Sequence, residues 1–542
     1  MGLVVAMFRR TPRRAMFKVF VAFLVVCLML LLCYSASLSV NTFISSLEQG
    51  RFPSLGLDGA LRNDDSQDIL LVFKSTKLSR DEMAARMEKR TPNLPVRFWL
   101  EVKDKDLSKN TSCAQFPSLY DLNYVDTHWQ ELQTVDGPYH LFGAYFDNRT
   151  LVKEAPAVRI IGQIAKINVK TSLFCQLWFE EHKEPAFAPV FEHRYLWRAA
   201  MGVYENGVMQ PYMFSCQVPH EYRGTVPQAV SVVEKPCDNA KTNLKVNNIL
   251  PPSGKKEGFA VCVKGMSFPF VDFSVRLVEW LELLFILGAD KVFFYDYDMH
   301  PNISKVLSYY EEQGRVEVIK LPLSGRRPNA FGLLNMFLGF IGKIPKEHEE
   351  TVPYNDCFMK NINRYKFVSA MDTDEVIIPK VSSSWETMMN IVVAKALDTS
   401  KKPPSSYVMR HVYFLDDMGY SNETVRDVPP YMHMLRHVRR SRNYNHPEHY
   451  IKSFFDTERV LSIHNHFPLT CLGAGCSPYF VNTSDGHLQH YRHYCVEHLE
   501  SVCEKAFRND SVRDTNIFRF KEPLISGVKR TLLKLGFVNQ LP

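Results

Sequence analysis

The sequence predicts an α/β protein: a mostly parallel, Rossmann-like sheet with helices on its faces, preceded by an all-β, sandwich-like domain and an N-terminal transmembrane helix. Three observations predict it. Residues 255–542 alternate strand-like and helix-like runs, the pattern that builds a parallel sheet covered on both faces. Residues 81–246 instead carry short runs rich in aromatic and β-branched side chains, separated by Pro, Gly and Asn. Val19 to Val40 contains no charged residue and is long enough to span a bilayer as a helix. At 542 residues, 46% hydrophobic and 23% charged, the chain reads as globular, with two folded domains as the default.

In chain order, residues 1–18 form a basic tail with Arg9, Arg10, Arg13, Arg14 and Lys18, which under the positive-inside rule holds the N-terminus in the cytosol. Residues 19–40 then read as an uncleaved signal-anchor. A cleaved signal peptide is the rival reading, with ASLS as its small-residue site, but the apolar run is long for that role. Everything after Val40 is therefore expected on the lumenal side. Sequons at Asn110, Asn148, Asn302, Asn422, Asn482 and Asn509 are compatible with that side. So are the ten cysteines outside the anchor, an even set that an oxidising compartment can pair. The net charge of +7 owes much to the basic tail, so it is no footprint of a nucleic-acid partner.

Residues 41–80, polar and rich in turn formers, read as a stem. VRFWLEV, YHLFGAYF, AVRIIGQIAKINV, SLFCQLWFE, QPYMFSCQV and AVSVVE are the expected strands of the β-rich domain. After the breaker ILPPSGKKEG come AVCVKGM as a strand and DFSVRLVEWLELLFILG as a helix ended by Gly288. KVFFYDYD, ISKVLSYYEEQG and RVEVIKLPL continue the alternation. YNDCFMKNINRY is expected to be helical and to lead into the strand KFVSAMDTD. SSWETMMNIVVAKAL places Ser383 and Glu386 at capping-box spacing before another helix.

Parallel sheets of this kind bind ligands beyond the carboxyl ends of their strands, where VKG, YDYD and DTDE all fall. Asp372 and Asp374 form a D-x-D whose hard carboxylate oxygens suit Mg²⁺ or Mn²⁺ and, through the ion, a diphosphate. The bland alternative is a pair of turn or cap residues.

The order VCVKGM, RLVEWLELLFILGADKVFFYDYD, YNDCFMKNINRYKFVSAMDTDEVIIP, IHNHFP and LQHYRHY resembles glycosyltransferase family 92 over the C-terminal half of the chain. That resemblance implies a GT-A fold, a Golgi membrane enzyme of type II topology, Mn²⁺ (or Mg²⁺) as metal, UDP-galactose as donor, and an inverting transfer to a β-1,4 linkage. Acceptors in such a family include core fucose and terminal galactose of N-glycans on glycoproteins; terminal galactose is the expectation here, with oligomeric state left open. On the same grounds Asp372 and Asp374 correspond to the metal and diphosphate motif, with Glu375 beside them. Val263 and Lys264 fall where the nucleotide is received, and Asp296 and Asp298 where uridine or ribose would lie. Asn355 and Asp356 are either donor contacts or a helix N-cap.

A downstream histidine is expected to complete the metal shell. His466 and His490 lead the candidates, with His464 a third that would share a strand face with His466. Arg492 can pair with the diphosphate. Inversion needs a base on the acceptor hydroxyl, for which Asp416 and Asp417 are the first choice and Glu448 the second. Tyr413, Phe414, Tyr420 and Tyr450 can stack on an acceptor sugar. Cys471, Cys476, Cys495 and Cys503 lack a zinc-site spacing and read as disulfide partners. A metal-dependent phosphoesterase and a lumenal glycan-binding protein without turnover are the rival functions.

Overall fold

The structure is a computed structural model that describes residues 78–104, 113–198, 201, 208–325, 327–400, 402–418, 427–495 and 503–538. The expected tail and anchor, the stem up to residue 77, Asn110, Asn422 and Tyr420 lie outside these. Among the described residues no helix is long and apolar enough to cross a membrane. The chain divides into Met1–Ser79 and Arg80–Pro542, and the second is a single compact unit.

This unit opens on two helices, α1 (Arg80–Arg90) and α2 (Val96–Asp104). The second corrects the expected strand VRFWLEV. Seven residues with apolar side chains at alternate positions satisfy both periods, and here Val96, Phe98 and Val102 are buried from a helix.

Eight strands follow: β1 (Gln130–Thr134), β2 (Gly137–Asp147), β3 (Ala157–Ile164), β4 (Phe174–Trp178), β5 (Ala186–Tyr195), β6 (Gln210–Gln217), β7 (Ala229–Val233) and β8 (Leu244–Asn247). Their order is β1-β2-β3-β6-β5-β4-β7-β8, and β8 pairs back onto β2 at Ala144↔Val246 and Tyr145↔Asn247. The expected sandwich is therefore a closed barrel. Alternating side chains specify one buried face but not whether the sheet closes, and closure removes the open edges a sandwich keeps. Cys175–Cys216 staples β4 to β6, and Cys113–Cys237 ties down the approach to the barrel.

The second sheet is α/β, as expected. Strands β9 (Glu257–Phe268), β10 (Lys291–Met299), β11 (Val316–Lys320) and β12 (Tyr365–Ala370) run parallel in the order β11-β10-β9-β12. Helices α3 (Ser274–Leu287), α4 (Pro301–Glu312), α5 (Leu333–Phe340) and α6 (Lys343–Asn361) fall between them. Gly288 ends α3 at φ 108°, a left-handed position that spares Gly the Cβ penalty.

Past β12 the sheet becomes mixed. A short β13 (Glu375–Pro379) leads to helix α7 (Trp385–Ser400), capped by Ser384 Oγ on the Thr387 amide rather than by the expected Ser383 and Glu386. Then come β14 (Ser406–Met409), β15 (His411–Leu415), β16 (Arg439–Ser441), β17 (Lys452–Asp456), β18 (Val460–Ile463), β19 (Pro468–Cys471), β20 (Pro478–Phe480), β21 (Gly486–Arg492) and β22 (Ser511–Arg513), with helix α8 (Lys521–Lys534) last. β17 joins β12 antiparallel and carries β14 and β20 beyond it, while β13, β21 and β15 form a separate three-stranded sheet.

Barrel and sheet share one core: Trp129, Phe142, Tyr145 and Ile161 pack with Cys262, Tyr295, Tyr354 and Phe358. Cys262–Cys357 fixes α6 on β9, and the late cysteines pair as 471–476 and 495–503.

Candidate active site

The D-x-D sits in the tight turn between β12 and β13, at the carboxyl end of the parallel strands. The Glu375 amide donates to the Asp372 carbonyl at 3.1 Å, and the Asp372 amide to Glu375 Oε2 at 3.2 Å. Strand register brings the rest: Glu375 pairs with His490 across β13–β21, and Tyr413 with His490, Leu415 with Arg492, across β15–β21.

Two cavities meet here. One, of about 430 Å³, is lined by Val263, Lys264, Met266, Phe268, Phe273 and Arg276 together with Asp372, Asp374 and Arg492. The other, of about 260 Å³, is walled by aromatic side chains, Tyr413, Tyr450, Tyr494 and Phe507, with Asn445 and Glu375. Asp372, His490 and Arg492 belong to both. Gly265 lets the backbone of β9 pass under Tyr297, whose ring would stand 1.8 Å from a Cβ there.

Charge is closely balanced in the turn. Asp372 lies between Lys264 at 3.2 Å and Lys452 at 3.1 Å, and Lys452 also reaches Glu375 at 2.9 Å. Burial raises the Asp372 carboxyl, but the two lysines outweigh it and hold it well below the usual range. Asp374, with its side chain 48% exposed, stands 3.4 Å from His490 Nε2, and this histidine outweighs burial to lower its carboxyl. His490 is raised in turn, Asp374 and Glu375 overcoming its burial. Glu375 goes the other way: burial dominates and its carboxyl is raised. Burial keeps His411 neutral and brings His466 down to about 4.

The residues fit a divalent cation. Both ring nitrogens of His411 and Nδ1 of His490 are buried without a hydrogen-bond partner, and one nitrogen of each lies within 4.8 Å of a Glu375 oxygen and of the other. On the more open side, Asp374 and His490 Nε2 present an oxygen and a nitrogen to the larger cavity.

The sequence model of glycosyltransferase family 92 matches residues 257–527, half of the chain, from the first residue of β9 into α8. The chain belongs to glycosyltransferase family 92. A Caenorhabditis elegans protein named beta-1,4-galactosyltransferase galt-1 is 21% identical over 188 residues, 33% of this chain and 40% of its own length. The match thus spans about two fifths of that relative's length. Among solved structures, the crystal structure of S. aureus TarS 1-349 is 15% identical over 29% of this chain and 35% of its own, with a TM-score of 0.16, too low to bear on the fold.

Within this family 92 chain the structure gathers Val263, Lys264, Asp372, Asp374, His490, Arg492 and, in the smaller cavity, His466. His464 and His466 do not share a strand face, which corrects that expectation: they sit in the turn between β18 and β19. His464 stacks on Phe467, and His466 Nδ1 donates to the Ile451 carbonyl at 2.8 Å. Asn355 and Asp356 are inside α6, not at its cap, and both are fully buried. Asn355 bonds the Ile463 amide and carbonyl, and Asp356 accepts from the Tyr145 and Tyr295 hydroxyls. Asp296 pairs with Lys320, and Asp298 accepts from the Gly332 amide.

Asp416, Asp417 and Glu448 line neither cavity. Asp416 is held by His437 and His493, and Asp417 by Arg508 at 2.8 Å. Sequence reasoning missed Lys452, His411 and Asn445. The pairing of β17 and β15 with distant strands brings Lys452 and His411 to the turn, Asn445 follows through its amide on the His411 carbonyl, and no local pattern marks them.

Proposed function

We propose that this family 92 member is a GT-A galactosyltransferase that moves galactose from UDP-galactose to a glycan acceptor, a terminal galactose of N-glycans, with inversion to a β-1,4 linkage. Its metal would be Mn²⁺ or Mg²⁺, and its setting the Golgi lumen on an N-terminal anchor. The transferred sugar and the linkage are carried from the name of the C. elegans relative, and UDP-galactose as donor from the family resemblance. The observation that carries the reaction class is the meeting of two unlike cavities at Asp372, His490 and Arg492.

In this reading the larger cavity takes the nucleotide. Met266, Phe268 and Phe273 offer apolar walls to the base, while Lys264, Arg276 and Arg492 offer positive charge to the diphosphate. Asp374 and His490 would hold the metal with Asp372 beside them, and a bound ion would act as a Lewis acid on phosphate oxygens. Lys264 and Lys452 keep Asp372 ionised at neutral pH. The smaller cavity takes the acceptor, with Tyr413 and Tyr450 for the sugar face and Asn445 for its hydroxyls. Glu375, whose carboxyl burial raises, lines that cavity and is the carboxylate assigned there to accept the hydroxyl proton, with His411 and His490 beside it.

The test uses full-length protein in detergent with labelled UDP-galactose, Mn²⁺ and a glycan panel. The proposal expects acceptor-dependent transfer, abolished by chelator and restored by Mn²⁺. Sugar release without acceptor dependence would point to hydrolysis, and glycan retention without turnover to a lectin; either result rejects it.

A further inference from the structure

Apart from the D-x-D turn, three imidazoles gather around one carboxylate. Asp416 follows β15, His433 and His437 flank the short turn Met434–Arg436, and His493 follows β21. His437 Nε2 lies 2.8 Å from Asp416 Oδ1, and His493 Nδ1 lies 2.7 Å from Oδ2. The His433 and His437 rings are 4.4 Å apart, and one nitrogen of each lies within 4.8 Å of an Asp416 oxygen and of the other. Among the described residues no lysine or arginine pairs with Asp416, unlike Asp372 with its two.

The tautomer of His437 is fixed by its other side. Nδ1 lies 2.7 Å from the His433 carbonyl oxygen, which can only accept, so Nδ1 carries a proton. In a neutral ring Nε2 then has only a lone pair, aimed at a carboxylate oxygen 2.8 Å away. Two acceptors in contact require a second proton or a cation between them. A ring N–H donated to a backbone carbonyl is also the outer-shell bond that orients metal-ligating histidines.

We propose that Asp416, His433 and His437, with His493 as a fourth donor, form a zinc-class transition-metal site distinct from the D-x-D turn. Three imidazoles and one carboxylate suit a tetrahedral Zn²⁺. Bonds of about 2.1 Å set ligand atoms about 3.4 Å apart, so for Asp416, His433 and His437 closing the present spacing takes side-chain shifts of about 1.5 Å or less, while His493 would reach the ion by turning from the second Asp416 oxygen. The ion would bolt together three segments remote in sequence. Because His433 also lines the larger cavity, it would fix one wall of that cavity.

The site is tested by direct metal binding on full-length protein in detergent, stripped with chelator and reloaded with Zn²⁺ or Co²⁺. The expected result is one tightly held equivalent in wild type and in Asp374→Asn, with the visible absorption of tetrahedral Co²⁺. The pair His433→Gln/His437→Gln should lose both the equivalent and the band. Absence of bound metal from Asp374→Asn, or full retention by the histidine pair, overturns the site. Should the double variant fail to fold, His433→Gln alone serves, since its ring lies outside the hydrogen bonds to Asp416. It should weaken Zn²⁺ binding at least about tenfold, and unchanged affinity overturns the site equally.

Discussion

The junction between barrel and sheet and the D-x-D turn each set an aspartate beside a lysine, yet the two aspartates stand in different surroundings. Asp356 has no exposed surface; two tyrosine hydroxyls donate to it, one from β2 and one from β10, and Lys360 stands 3.0 Å away. Asp372 has Lys264 and Lys452 at similar distances, but it lines both cavities, and its neighbour Asp374 is half open to one of them. A buried, paired carboxylate is thus not a site in itself. What makes one is access, together with partners whose charge remains available to a ligand.

The largest effect should come from breaking the open side. Asp374→Asn keeps the shape of the side chain and removes the charge facing the larger cavity. If that charge acts on the departing nucleotide, transfer should fall about 10²–10³-fold, as when a single preorganised electrostatic group is lost. The half-exposed position should leave thermal stability near wild type. A loss of stability in step with activity would mean that Asp374 serves the fold, as Asp356 does.

Next comes the charge balance itself. Lys452 is fully buried, and Lys452→Met would leave Asp372 and Glu375 side by side without their shared cation. Breaking a buried pair by removing one partner costs about 3–5 kcal/mol. The variant should therefore melt earlier than wild type, and the acid limb of transfer should move to higher pH as Asp372 and Glu375, without Lys452 to lower them, take up protons sooner. Asp356→Asn should cost a similar amount of stability, yet leave kcat/KM of the folded fraction unchanged. The pair of variants, compared by melting and by kinetics, separates the two regions.

How much of this was legible in the sequence follows the same division. The strands β9, β10 and β12 and helix α3 announce themselves through period and breakers, and with them the end of the sheet where DTD emerges. His490 and Arg492 were readable as candidates because their residue types suit metal and phosphate. Asn355 and Asp356 were misread because distance along the chain to the motif says nothing about which way α6 faces. Their side chains point into the shared core, where a barrel strand supplies Tyr145. Lys452 and His411 were invisible for the converse reason. Each belongs to an unremarkable strand, and only the antiparallel pairing of β17 with β12 and the parallel pairing of β15 with β21 turn them toward Asp372 and Glu375. The barrel likewise hid its closure, since β2 and β8 meet only after about a hundred intervening residues have folded.

The smallest effect sharpens the junction. Tyr145→Phe removes one of the two hydroxyls that donate to Asp356 and leaves the ring packed in the shared core. Tyr295 and Lys360 still face the carboxylate, so the loss is that of one hydrogen bond to a charged group, about 1.5–3 kcal/mol. Melting should fall by less than in Asp356→Asn, with donor and acceptor KM unchanged. Burial, followed by the charge of Asp356, raises the Tyr145 hydroxyl well above its ordinary value, so it stays a donor across the neutral range and the difference between the two proteins should not vary from pH 6 to 8. A shift in KM would show that the barrel reaches the site through this bond, and the two regions would then have to be treated as one.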